Sequence, residues 1–228
     1  MRASPSEISL IIRHELRGFI KGERSAHIVY LVLLVTWSAV LATNMGELAR
    51  EPLYLWILFF SVILSGNFGN TVFAAERLNG AMEIVLTCGL ARASILYGKI
   101  GYVVGMSIVL GALCYMVSFL WLFLMQGQSA WFLYTRSIGT LAMLYATACM
   151  MNACSGAWLS FRLANPRLTH FVNLLVMGLI VTVYGGLSVM TPLPWIMLGG
   201  VMLVFALGFL LLARGDFFSE RVVQPYSP

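Results

Sequence analysis

The chain has 228 residues, 60% of them hydrophobic and 10% charged, with 14 Lys and Arg against 9 Asp and Glu for a formal charge of +5. A water-soluble domain is nearer a quarter charged and under half apolar, so this balance excludes an ordinary soluble globule. It calls for no nucleic-acid partner either, because basic loops beside an anionic membrane leaflet account for the positive excess.

Residues 1–26 read as a separate helical unit. Ser4 can cap a helix, Pro5 suits the first position and Glu7 stands three beyond the cap, which predicts a capping box. Ile8, Ile12, Leu16 and Phe19 fall on one face of this helix, and Arg13, Arg17 and Lys21 on another, with Glu15 in the same stretch. An apolar stripe opposite a basic one predicts an amphipathic helix lying in the membrane interface, in contact with lipid.

Residues 27–213 carry six apolar runs, at 27–43, 53–75, 98–125, 137–161, 170–190 and 194–213. A helix needs about 20 mostly apolar residues to cross the hydrocarbon, so the runs predict an all-α polytopic membrane protein with six transmembrane helices. Strands of a membrane β-barrel are about ten residues of strict alternation and do not fit. The first run lacks a small-residue cleavage pattern and is expected to be a retained span. Residues 214–228 form a short tail. Twelve of the 14 basic residues fall on one side of this alternating topology, leaving Arg50 and Arg136 on the other. The asymmetry predicts that both termini and the tail are cytoplasmic. The outer loops, 44–52, 126–136 and 191–193, are too short for an outer domain.

No Asp, Glu, Lys or Arg lies well inside any run, which argues against a proton- or sodium-coupled carrier. Asn67, Asn70, Asn152 and Asn173 are the main polar groups there, with interhelical hydrogen bonding and a substrate path as their two readings. The pairs Gly66/Gly69 and Gly101/Gly105 have the spacing of small-residue packing contacts. The four cysteines lie in or beside runs and are expected to be packing residues, with no disulfide and no metal. The chain carries no P-loop, since Ala93 stands five before the only Gly-Lys, Gly98-Lys99. There is no HExxH motif, and His14, His27 and His170 sit at run boundaries, so no catalytic residue is expected.

The segment at 76–97 is the most unusual part of the chain. Read as a helix over 76–87, it sets Glu76, Gly80, Glu83 and Thr87 on one narrow face. Gly89 then ends the helix in a left-handed turn, and a second short turn carrying Arg92 leads back to the membrane at Lys99. The predicted object is a short amphipathic hairpin, a coupling helix between spans two and three, with its charged face to the cytosol.

The order Glu76-Arg77, Gly80, Glu83, Val85-Leu86, Arg92 and Gly98-Lys99 resembles the cytoplasmic signature of type-2 permeases of ATP-binding-cassette exporters. The match covers about 24 positions, and Gly89 stands where the family usually has proline. The outer segment between the last two runs is also shorter than in many members. The resemblance implies a membrane-spanning permease subunit that moves a hydrophobic or amphipathic cargo out of the cell. Glu76, Arg77, Gly80, Glu83, Arg92 and Lys99 would then couple it to a separate ATPase subunit. It implies two copies of that ATPase, which carries the ATP and Mg, and a second permease chain, identical or a paralogue. This chain would bind no cofactor, and its place would be a bacterial inner membrane. The alternatives are a non-transporting membrane scaffold or assembly factor, and a secondary carrier.

Overall fold

The computed structural model describes residues 3–22, 24–46, 52–126, 128–163, 165–190 and 194–218, and no strand occurs among them. Its helices are α1 (Pro5–Lys21), α2 (Arg24–Gly46), α3 (Pro52–Gly69), α4 (Glu76–Leu78), α5 (Ala81–Thr87), α6 (Arg92–Gln126), α7 (Gln128–Arg162), α8 (Pro166–Met190) and α9 (Trp195–Phe218). A π-helical stretch, Asn70–Ala75, joins α3 to α4. Five helical segments are long and apolar enough to cross a membrane: Tyr54–Leu78, Arg92–Met125, Ile138–Arg162, Arg167–Leu187 and Trp195–Phe218. Within α2 the apolar stretch is shorter, His27–Thr43. Large apolar side chains such as Leu31, Val35, Val204 and Leu211 stay exposed on these helices. Helices apolar all round, with their bare side chains pointing outwards, are solvated by hydrocarbon. The chain is a polytopic α-helical membrane protein.

Two parallel pairs and one hairpin organise the bundle. The Cys114 thiol donates to the Leu34 carbonyl and the Ser118 hydroxyl to the Ser38 carbonyl, at 3.8 and 2.8 Å, which runs α2 beside α6 in the same direction. Close approach of Gly199 to Met143 and an ion pair between Asp216 and Arg162 run α9 beside α7 likewise. The Tyr145 hydroxyl donates to the Ser107 carbonyl at 2.8 Å, between antiparallel α6 and α7. Both of these helices have 35 residues, about 52 Å of rise, against a hydrocarbon thickness of about 30 Å. The expected eleven-residue outer loop at 126–136 is therefore not a loop in its backbone. Apart from residue 127, which lies outside the described residues, helix runs through it. The side chains of 126 and 128–137 also lie outside the described residues, as do 47–51 of the expected loop at 44–52 (whose ends 44–46 and 52 are helical), 191–193, and the tail beyond 218.

The bundle has two chemically different ends. One end gathers aromatic rings: Tyr54 stacks on Trp195 with centroids 4.6 Å apart, and Trp37 stacks on Phe60 at 4.6 Å and meets Trp56 edge-on at 5.9 Å. The Tyr184 hydroxyl there donates to the Pro194 carbonyl at 2.6 Å. Amphipathic rings of this kind sit at a membrane–water boundary. The other end gathers Glu15, Glu76, Arg77, Lys99, Arg162 and Asp216 around a packed core that includes Phe68, Phe73, Phe161 and Phe217.

Between the ends several polar groups pair with one another, and the Asn152 side-chain oxygen is buried outside those pairs. Asn152 is fully buried and its amide donates to the Ser61 hydroxyl at 3.1 Å, while the Asn173 amide donates to the Asn152 carbonyl at 3.2 Å. The Ser155 hydroxyl donates to the Asn173 carbonyl oxygen of its side chain. This network ties α3, α7 and α8 together, the bridging role that membrane helices give to buried amides. Asn67 and Asn70 stand apart from it, half-buried near the end of α3 and in the π-helical stretch. Of the expected glycine pairs, Gly66 lies under the His170 ring and Gly101 faces Ile12, whereas Gly69 and Gly105 have nothing against them. Close contacts outside those pairs are at Gly98, Gly111 and Gly199, against Ile11, Tyr145 and Met143. All four cysteines are free; Cys88 is exposed and Cys114, Cys149 and Cys154 are buried.

Candidate functional site: the elbow at the charged end

The chain between α3 and α6 folds as a bent elbow. The single helix predicted over 76–87 breaks at Gly80, whose φ of +71° places it in the left-handed region. An L side chain meets its own carbonyl there, so the turn favours glycine, which has no Cβ. Gly80 is thus a corner between α4 and α5, and its carbonyl accepts the Glu83 amide at 3.2 Å. The narrow face of Glu76, Gly80, Glu83 and Thr87 does not exist, because the corner turns Glu76 away from Glu83. Gly89, at φ +79°, makes the second corner in the manner expected. The predicted short turn carrying Arg92 is absent. Arg92 opens α6 itself, and Ala93, Ser94, Ile95 and Leu96 are already buried in its first two turns.

Apart from Gly80 at the corner, the proposed coupling residues divide into two groups. Glu83 and Arg92 are exposed, together with the apolar Leu78 and Ile84. Met82 is buried beneath them and anchors α5 to the core formed with Phe73, Ile95 and Phe161. This leaves a small outward surface of mixed charge and apolar area. Glu76, Arg77 and Lys99 face inwards instead. The Lys99 side chain is 1% exposed, and its ammonium donates to Glu76 at 2.6 Å, to Glu15 at 2.7 Å and to the Val72 carbonyl at 3.4 Å. All three of its donors are used. Arg77 donates to the Ser160 carbonyl at 2.7 Å, near the end of α7. At α7's last residue Arg162 pairs with Asp216 of α9 at 2.6 Å and lies 4.9 Å from the Trp158 ring.

The interfacial helix is docked on protein along one face. Ile11 is buried against Gly98, where a Cβ would come within 2.8 Å of the Ile11 Cβ; only glycine lets α1 approach α6 this closely. The Ser4 amide donates to the Ser94 hydroxyl at 3.0 Å. The predicted capping box does not form: the Ser4 hydroxyl meets Ser6 at 2.8 Å, and one Glu7 oxygen is buried without a partner. Docking supplies the contact from Ser94 that the local motif was expected to provide. Arg13, Arg17 and Lys21 remain exposed on the far side with Leu10 and Ile20, while Glu15 turns inwards to Lys99.

The sequence assigned Glu76 and Lys99 to the coupling segment and Glu15 to the interface helix, and it did not pair them. It missed Ser94, Gly98 and Asp216. The available signal for Asp216 was an acid just past an apolar run with an arginine, Arg162, at the same end of the alternating topology. Among the described residues no three His, Cys, Asp or Glu stand close enough to hold a metal ion. No protein-family model matches the chain, and no curated protein matches it in sequence.

Proposed function

We propose that the chain is the membrane-spanning permease subunit of an ATP-driven exporter, with six spans, cytoplasmic termini and the charged end in the cytoplasm. The observation that carries this reading is the elbow. It is a short, twice-cornered segment with a buried anchor, Met82, and an outward surface formed by Leu78, Glu83, Ile84 and Arg92. A rigid knob of this kind suits a groove on a separate ATPase, and rigid spans attached to it can carry a two-state motion. ATP and Mg belong to that partner, present in two copies, and this chain supplies no catalytic group. A second permease chain completes the assembly in a bacterial inner membrane.

The cargo class is hydrophobic or amphipathic. A cavity of about 290 Å³ between α2, α3, α6 and α7 supports this, because it is walled by apolar and aromatic side chains including Leu41, Phe60, Leu141 and Tyr145. Among the described residues its polar side-chain wall groups are tyrosine hydroxyls, and that of Tyr145 is engaged by the Ser107 carbonyl. The decisive experiment is purification of the chain in mild detergent from its native membrane. A co-eluting ATPase that is lost on Glu83→Arg supports the exporter; repeated purification with no ATPase sinks it in favour of a scaffold.

A further inference from the structure

The geometry points to Lys99 as a positioning residue: with Glu15 and Glu76 it forms an internal clamp that makes α1, the elbow and the start of α6 one moving body. The inference rests on the exporter reading for its use, though not for its existence. Lys99 of α6 joins two other parts of the chain at one buried ammonium, α1 through Glu15, and the contiguous π-helical stretch and α4 through the Val72 carbonyl and Glu76. A buried ion group of this kind holds only while every member is present, since removing one leaves an uncompensated charge in low dielectric. It therefore acts as an all-or-none link.

The rest of the charged end is connected differently. Arg77 joins the elbow to α7 through a backbone carbonyl, and the Arg162–Asp216 pair is open to solvent on the arginine side, at 45% exposure. Neither reaches α1. A displacement of the elbow is passed to α1 through Lys99, with Gly98–Ile11 and Ser94–Ser4 holding α1 on the same stretch of α6. Glu76 and Lys99 thus transmit from inside the protein, and Glu83 with Arg92 remains at the outer surface.

The test measures hydrogen exchange across 5–21 in the full chain held in lipid nanodiscs. Glu76→Gln lies on a different element from α1, and it is expected to speed α1 exchange about fivefold while Lys99 and Glu15 are present. In a Lys99→Met/Glu15→Gln background the route is cut, and Glu76→Gln should leave α1 exchange no faster; this background also avoids two bare carboxylates if Lys99→Met alone fails to fold. Acceleration in both backgrounds, or in neither, overturns the clamp. In the complex, Glu76→Gln should retain the co-purified ATPase that Glu83→Arg releases. Equal release by both would make Glu76 a docking contact and also overturn it. If no ATPase ever co-purifies, the exporter reading falls and the exchange cycle still decides the clamp.

Discussion

Removing the Lys99 ammonium leaves Glu15 and Glu76 close together with no cation between them, one of them already holding a buried oxygen without a partner. Lys99→Met is therefore expected to destabilise the protein by about 3 kcal/mol, the usual cost of breaking a buried pair. The fall in thermal unfolding midpoint in detergent measures it. Adding Glu15→Gln and Glu76→Gln to the same chain should recover most of the loss, because a wholly neutral cluster has no bare charge. The amides inside the bundle are a milder case. Asn173→Ala removes contacts to Ser155 and Asn152, and interhelical hydrogen bonds in membranes average about 0.6 kcal/mol each. Its expected cost is about 1 kcal/mol, read by the same unfolding measurement; a loss as large as that of Lys99→Met would refute this ranking. At this scale the residue types were legible in the sequence and their partners were not, since Lys99 and Glu15 are separated by 84 positions.

Among the elements, α1 and the elbow differ most from their sequence reading. In α1, Ile11 and Ile12 lie on α6 and Phe19 meets Tyr30 and Phe68, while Leu10, Leu16 and Ile20 stay exposed. Periodicity reports that a face is apolar and is silent about what covers it. Gly98→Val should lift α1 off α6, because a Cβ there already collides with Ile11. The expected result is rapid proteolysis near 5–21 with the long helices still protected; unchanged protection would show that α1 docks by another face. The elbow corner makes a separate prediction. Gly80 has open space around the position of a Cβ, so Gly80→Ala suffers only from its left-handed backbone. That strain is about 1 kcal/mol and should appear as faster exchange across α4 and α5, with little change elsewhere.

For the molecule as a whole, the two unlike ends make its orientation testable. Cys88 is exposed at the charged end, and the other three cysteines are buried. With the charged end in the cytoplasm, a membrane-impermeant maleimide should label one cysteine in inside-out vesicles and none in right-side-out ones. Labelling from the outer side would invert the topology and remove the elbow from any cytoplasmic ATPase. The long α6–α7 pair was concealed in the sequence because helix continues through 126 and 128–136, where composition turns polar. A local loss of apolar character ends a membrane run, but it does not end a helix whose backbone bonds are made within itself.

Composition alone determined that this chain lives among lipids as a set of long helices, because 60% apolar residues in runs of about twenty have no other stable solution. The left-handed turn at Gly89 was equally local, and local chemistry decided it. The tertiary structure decided what each charge is for. Burial of Lys99 depends on α1 packing over Gly98 and on the elbow folding back at Gly80, events that no window of neighbouring residues contains. Charge is visible in a sequence, but its meaning depends on the dielectric around it, and only the assembled helices set that.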